Sequence, residues 1–379
     1  MSNARKLADN LPSEGQLGNR NLVINGAMQV AQRGTSAVTT SDSFAVDRWK
    51  NISNASDFSA QQSTTVPSGQ GFYKSIHITP TSTKSPSSST YFFVSHYIEG
   101  FNIAKLNWGT SDAKTVTLSF WVRSSKTGTY SLGLKNANAT RSRQEEYTIS
   151  VANTWEKKTI TVTGETSGSW PIDNSRGLAL DFCLAGENTE TSTIGSWISS
   201  NSNMSSNQVN FFDSTSNNFY ITGVQLEAGS QSTPFEHEHI SVTETKCKRY
   251  YNVYGRSTGT NQGSSAHAGW CYSSTGGSIR IPSVGGPQMR IRPSLGLVGT
   301  TSSSAGAGGT MGVYTSGGWQ AAGGQTWYAT DASLDPSFRI DFNTSSGLPA
   351  NGAAGVYFYS SSIYPTDSSF AGVTLDAEL

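Results

Sequence analysis

The sequence is short of charge. Only 14% of its 379 residues are Asp, Glu, Lys or Arg, against about a quarter in an ordinary globular chain. Lys plus Arg and Asp plus Glu number 26 each, so no cationic surplus exists to neutralise a phosphate backbone, and nucleic acid is not expected as a partner. No run of 18 apolar residues occurs, and the first 20 residues are polar without an apolar h-region, so neither a membrane span nor a secretory leader is expected. The three cysteines, Cys183, Cys247 and Cys271, are an odd number at spacings that fit no metal motif, and they read as buried thiols. The phosphate-cradling GxxxxGK[ST] and GxGxxG patterns are absent, and so is the long period of a β-helical depolymerase.

What the chain has instead is glycine, hydroxyl and amide residues, and aromatics. Disordered chains lack aromatic residues, whereas Phe, Trp and Tyr make up 11% here, with nine tryptophans. Abundant Thr, Val, Tyr, Phe and Gly predict an all-β chain of many short strands joined by turns. In 115–123, Val116, Leu118, Phe120 and Val122 alternate with Thr117, Ser119 and Trp121, the period of a strand with one buried face. Leu178, Leu180, Phe182 and Leu184 repeat it. Phe219 and Ile221 are odd while Val224 and Leu226 are even, so a β-bulge is expected at Gly223. Further strands are expected at 21–25, 72–79, 91–99, 130–134, 147–151 and 158–163.

This punctuation predicts a jelly-roll β-sandwich over 20–240, a short helical joint over 241–254 and a smaller C-terminal β domain over 255–379. Ser241 and Glu244 have capping-box spacing at the start of the joint. Short strands are expected at 266–272, 312–314, 337–343 and 355–363, and the run SSSAGAGG near residue 305 reads as a mobile loop. Residues 1–19 place Ala4, Leu7 and Ala8 on one helical face before Pro12, either a frayed terminus or a docking peptide that orders against a neighbour.

Three stretches are more specific than composition: NLVINGAMQVAQRG (21–34) followed by DRW (47–49), the run from Tyr97 to Asn136, and ITGVQLEAGSQSTPFEH (221–237). Over roughly 20–255 the chain resembles a sandwich module of bacteriophage tail fibre and other virion appendage proteins. ARKLAD (4–9) and LDAEL (375–379) are similar to the ends of such proteins, particularly those of phages infecting cyanobacteria and other marine bacteria. The resemblance implies a homotrimer in the virion, assembled in the host cytoplasm. Its N-terminal peptide (Arg5, Lys6, Leu7, Asp9) would dock on other phage tail or virion proteins, and its distal domain would contact host cell-surface glycan. The sandwich is also similar in layout to carbohydrate-binding modules, in which a structural calcium often bridges the first and last strands. The corresponding positions here are Ala27, Gln29 and Gln225, with Glu227 the nearest carboxylate, a poor match to an ion that takes six to eight oxygens. No metal or cofactor is expected.

Catalytic constellations are sparse. His237 and His239 would point the same way on a strand and could chelate a metal, or be exposed residues of the joint. Glu145 and Glu146 are adjacent, wrong for two carboxylates flanking one glycosidic bond. Asp331, Asp335 and Asp341 could form an acid pair or simply make turns. Sugar recognition needs less: aromatic faces for pyranose rings and polar groups to read hydroxyls. Core use is the commoner fate of Trp49, Trp108 and Trp155. The C-terminal domain holds Trp270, Tyr272, Trp319, Trp327, Tyr328, Asp331, Tyr357 and Tyr359 among Gly and Ser, and these are the expected glycan contacts. Arg280, Arg290 and Arg292 alternate with isoleucines and could bind anionic glycans, remain solvated or pair between subunits. The expectation is a structural, non-enzymatic receptor-binding protein. A glycan-cleaving tail depolymerase and a decoration or connector protein without glycan binding are the alternatives.

Overall fold

A computed structural model describes residues 19–54, 56–85, 91–186 and 194–254, the backbone of the strands between 267 and 376 named below, and 377–379. The chain divides into two compact units, Met1–Thr243 with Leu379, and Glu244–Glu378.

In the first unit the described strands are β1 (Ser43–Val46), β2 (Trp49–Ser53), β3 (Phe58–Ser63), β4 (Ser75–Pro80), β5 (Phe92–Glu99), β6 (Val116–Ser124), β7 (Gly128–Asn136), β8 (Ser142–Ile149), β9 (Glu156–Val162), β10 (Arg176–Ala185), β11 (Trp197–Ile198) and β12 (Phe219–Ala228). They form a seven-stranded sheet, β1-β2-β5-β10-β7-β8-β11, and a five-stranded sheet, β3-β4-β12-β6-β9. The chain changes sheet after β2, β4, β5, β6, β8, β9 and β11, giving the predicted all-β jelly-roll sandwich.

The period-two strands explain the core. Val116, Leu118, Phe120 and Val122 of β6 are fully buried against Leu178, Leu180, Phe182 and Leu184 of β10 in one apolar cluster. The parity change in β12 is a bulge: its register with β6 shifts between Thr222 and Gln225, and Gly223 takes φ +62°. Ile221 and Val224 therefore both enter the core.

Residues 21–25, expected as a strand, form a turn instead. Asn25 takes φ +58°, which breaks the extended run, and its buried side chain ties the turn together. Its Nδ2 donates to the Val30 and Asp47 carbonyls, each at 2.9 Å, and its Oδ1 accepts from Gln29 and Val30 N–H. Cys183 and Cys247 are buried free thiols, as read from their spacing.

Two helices are labelled: α1 (Gly100–Ile103), and α2 (Ile240–Lys248), where a helical joint was expected. The capping box is displaced. The helix starts before Ser241, and His239 Nδ1 accepts from the Ser241 backbone N–H at 3.3 Å.

In the second unit β13 (Tyr251–Tyr254), β14 (His267–Cys271), β15 (Gly276–Ile281), β16 (Ser294–Val298), β17 (Met311–Thr315), β18 (Gly318–Ala329), β19 (Phe338–Thr344), β20 (Gly352–Phe358) and β21 (Gly372–Asp376) are described. A sheet runs β13-β21-β16, and β14-β15-β19-β18-β17-β20 close into a barrel. The register shift between Ala322 and Gly324 of β18 reverses its parity, so that one face of the wall stays continuous around the ring. On that face stand Ile279, Ile281, Phe338, Ile340, Phe342, Val313 and Val356. The N-terminal peptide and the SSSAGAGG run lie outside the described residues.

Candidate functional site

The outer face of the five-stranded sheet is covered over only part of its length. Beyond the β12 bulge, Gln225 and Glu227 lie under the segment that follows the strand. Glu227 accepts from the Thr233 N–H and hydroxyl at 2.8 and 2.7 Å and from Gln225 Nε2 at 3.0 Å. Gln225 Oε1 in turn accepts from Glu236 N–H at 2.8 Å, and the Glu236 carboxylate caps the N–H groups of Asn19, Arg20 and Asn21 at 2.8, 2.9 and 3.0 Å. This hydrogen-bonded strut joins the chain around Asn21 to β12. The residues Ala27, Gln29, Gln225 and Glu227 do not fit a calcium ion, because both oxygens of the one carboxylate are already accepting. Among the described residues no group of three or more His, Cys, Asp or Glu is placed to hold a metal.

Before the bulge the same face is open. The register sets His77 of β4 opposite Tyr220 of β12, and Tyr220 opposite Arg123 of β6. The His77 and Tyr220 rings stack at 4.3 Å and 3°, close to the separation of neighbouring strands, so they stand as an upright ladder. The Arg123 guanidinium lies 5.1 Å from the Tyr220 ring centre, fixed by its Nε donating to the Asn153 carbonyl at 2.8 Å. Burial lowers the His77 pKa below its ordinary 6.5, and the nearby Arg123 cation adds to this, against a hydrogen bond to Asn218 Oδ1 that raises it. The ring is therefore neutral at pH 7. Trp155 lies 6.2 Å from Tyr220, and Trp121 sits in register between Lys157 and Thr222.

The tryptophans of this unit separate by what their indole N–H does. Trp49 donates to Asn25, Trp108 to Lys114, Trp170 to Ser167 and Trp197 to Thr163, each at a backbone carbonyl. Trp108, Trp170 and Trp197 also pack edge to face with one another. Trp121 and Trp155 are half-buried, and among the described residues neither indole N–H, nor the Tyr220 hydroxyl, is hydrogen-bonded to protein. The open half-sheet thus offers two indoles, a phenol and a fixed guanidinium with free donors and edges. Shallow recognition of a polyhydroxylated ligand needs this combination.

Of the sequence-predicted contacts, five lie in described barrel strands. Trp270 is opposite Ser278 and Ala353, Trp319 opposite Tyr314, Trp327 opposite Ile340, Tyr328 opposite Arg339, and Tyr357 opposite Gly312. Following the register around the ring puts Trp270, Trp319, Tyr328 and Tyr357 on one face. Trp327 falls on the other, with Ile279 and Ile340, and so does not join that group. Tyr272, Asp331 and Tyr359, the arginines Arg290 and Arg292, and the anchor residues Arg5, Lys6, Leu7 and Asp9 lie outside the described residues.

The HEH segment is not a strand. His237 packs on Phe72 and Phe235 with ring centres 5.0 and 4.9 Å away, whereas His239 bonds the Ser241 hydroxyl at 2.8 Å, so the two rings serve different neighbours. Glu145 pairs with Arg143 at 2.6 Å, and Glu146 accepts from Asn207 at 3.1 Å. The row His77, Tyr220 and Arg123 was missed in the sequence because it is assembled from three strands distant along the chain. Its one legible signal is the outward parity that Tyr220 and Arg123 share with Trp121.

No protein-family model and no curated protein matches this sequence. Among solved structures, the chain is similar to the enzymatically active domain of bacteriophage CBA120 tailspike protein 4, with a TM-score of 0.28 and 13% identity over 52% of this chain and 21% of that one. It therefore spans about a fifth of that tailspike chain. It is also similar to TmCBM61 in complex with β-1,4-galactotriose (TM-score 0.28, 12% identity, 56% of this chain and 100% of the other). A further similar structure is the family 11 carbohydrate-binding module of the cellulosomal cellulase Lic26A-Cel5E of Clostridium thermocellum, with a TM-score of 0.25 and 16% identity over 54% of this chain and 99% of that one. At these TM-scores nothing about ligand or activity transfers to this chain.

Proposed function

We propose that this chain is a non-enzymatic, glycan-binding subunit of a bacteriophage virion appendage, a tail fibre that attaches the particle to host surface glycans. The observation that carries the glycan reading is the open half-sheet, where Trp121, Trp155 and Tyr220 keep donors that the other four tryptophans of the unit spend on backbone carbonyls. The virion assignment rests on the sequence motifs at 21–34, 97–136 and 221–237, and with it go the homotrimer and the N-terminal docking peptide. A shallow site with few charged groups binds one saccharide weakly, and three copies on one fibre raise the effective concentration without a deep pocket.

The test is affinity electrophoresis of the full chain in gels containing neutral host-type polysaccharides. The wild type is expected to be retarded, and Trp121→Ala with Trp155→Ala to bind about tenfold more weakly, about 1.4 kcal/mol. Equal retardation of the double variant would remove the half-sheet as the site. Release of new reducing ends, abolished by Asp341→Asn, would replace the binding reading with a glycan-cleaving one.

A further inference from the structure

We propose that the open half-sheet selects acidic saccharides, with Arg123 and Lys157 as the cations that hold a carboxylate or sulfate while the sugar ring lies against Trp121 and Trp155. This rests on the reading of the half-sheet as the glycan site and names the class of glycan it takes. The register sets Lys157 of β9 directly opposite Trp121 of β6, and Arg123 stands two residues beyond Trp121 on the same strand and the same face. The two cations are therefore diagonal neighbours across β6 and β9, with backbones about 7–8 Å apart. Two long side chains at that spacing can converge on one anionic group.

Neither cation is neutralised by the protein. Arg123 donates from Nε to the Asn153 carbonyl at 2.8 Å, but among the described residues its two terminal nitrogens bond to no protein group, and neither does the exposed Lys157 Nζ. The register rows that run from Gln61 to Arg123 and from Thr222 to Lys157 contain no Asp or Glu. Carboxylates close by in the chain are held elsewhere. Glu156, of opposite parity to Lys157, pairs with Lys158 Nζ at 2.5 Å and accepts from the Ser150 and Val151 N–H groups at 2.9 and 2.8 Å. Asp213 pairs with Lys126 Nζ at 2.5 Å, and Glu227, beyond the bulge, is buried under Thr233. Two uncompensated cations thus share a face with the indole donors that no protein group uses. A guanidinium presents a planar fork matched to the oxygens of a carboxylate or sulfate, and the ammonium adds a second charge-assisted contact that a neutral hydroxyl cannot match. Two cations are too small a footprint for a nucleic acid, which is held by a long series of phosphate contacts. The ligand class is a polysaccharide with uronate or sulfate groups.

The experiment uses the full chain in gels containing polygalacturonate or its methyl ester, and dextran sulfate or dextran. Each acidic polymer is thereby compared with an uncharged one on the same backbone, and the two pairs separate carboxylate from sulfate. The wild type is expected to bind at least one acidic polymer about tenfold more tightly than its uncharged counterpart at low salt, a preference that shrinks at moderate salt. Arg123→Gln with Lys157→Gln should abolish the preference. Lys157→Gln alone, at an exposed position that makes no hydrogen bond to protein, should cut it about threefold, so the test does not depend on how well the fold tolerates a change at Arg123. Lys50→Gln, on the other sheet, should leave it intact. Equal affinity for both members of each pair overturns the proposal and leaves the half-sheet standing as a neutral-glycan site. A preference that the double variant keeps, or that Lys50→Gln loses equally, also overturns it. Equal retention by single-stranded DNA overturns it in favour of a nucleic acid. A wild type that none of the four polymers retards sinks both this proposal and the half-sheet reading.

Discussion

His96 is a fully buried imidazole, with its ring centre 4.9 Å from Trp49 and its Nε2 accepting from Ile24 N–H at 3.3 Å. Burial, and then the Arg48 cation, hold its pKa well below the ordinary 6.5, and burial lowers His77 in the same direction. In the unfolded chain both titrate near 6.5. As the pH falls through that value the unfolded chain takes up protons that the folded one refuses, so stability is complete above about 6.5 and declines below it. The fully buried His96 contributes a slope of up to about 1.4 kcal/mol per pH unit, and the partly exposed His77 less. Asp57, Asp213 and Glu156, whose pKa values are lowered, extend the decline further into acid. Urea midpoints measured at pH 7.5 and 5.5 are expected to drop for the wild type and to drop less for His96→Gln. An unchanged difference would exclude His96 as a source.

The bulge of β12 is the element on which both faces of the five-stranded sheet depend. Gly223 has φ +62°, and a Cβ there would meet Phe72 Cζ at 2.5 Å, a ring packed against Phe235 and His237. Gly223→Ala adds a left-handed penalty of about 1–2 kcal/mol to an overpacking cost of about 1–3 kcal/mol. A loss of about 2–5 kcal/mol in urea unfolding is expected, and a loss below about 1 kcal/mol would mean that the strand re-registers without the bulge. This bulge was legible because apolar parity changes across one glycine, and β6 and β10 were legible because their apolar residues recur every second position. Strands β1 to β3 were not, since SFAV, WKNIS and FSAQQS carry too few alternating apolar residues to show a period. The run at 21–25 misled in the other direction: its apolar residues are buried by a turn whose φ values at Asn25 and Met28, both +58°, no hydrophobic pattern encodes.

At the scale of the whole chain, the sequence carried the outward parity of Trp121 but not its neighbours, because register between distant strands is decided by packing and not by local pattern. The same holds in the second unit, where the isoleucine and arginine alternation of β15 was visible and its pairing with Arg339 was not. The principal hydrophobic cluster of the sandwich, from Leu22 to Leu226, draws all its residues from the first unit. Burial of that cluster is the main term holding the sheets together, and among the described residues its members all lie between Leu22 and Leu226. A fragment of residues 19–239 is therefore expected to unfold cooperatively and to keep the near-ultraviolet signal of the Trp108, Trp170 and Trp197 trio. It should retain neutral-glycan binding through Trp121 and Trp155. Circular dichroism and the same polysaccharide gels read both outcomes on one sample. A folded fragment that no longer binds neutral glycan would remove Trp121 and Trp155 as its contacts. An unfolded one would show that the cluster between Leu22 and Leu226 does not suffice for the sandwich to stand alone.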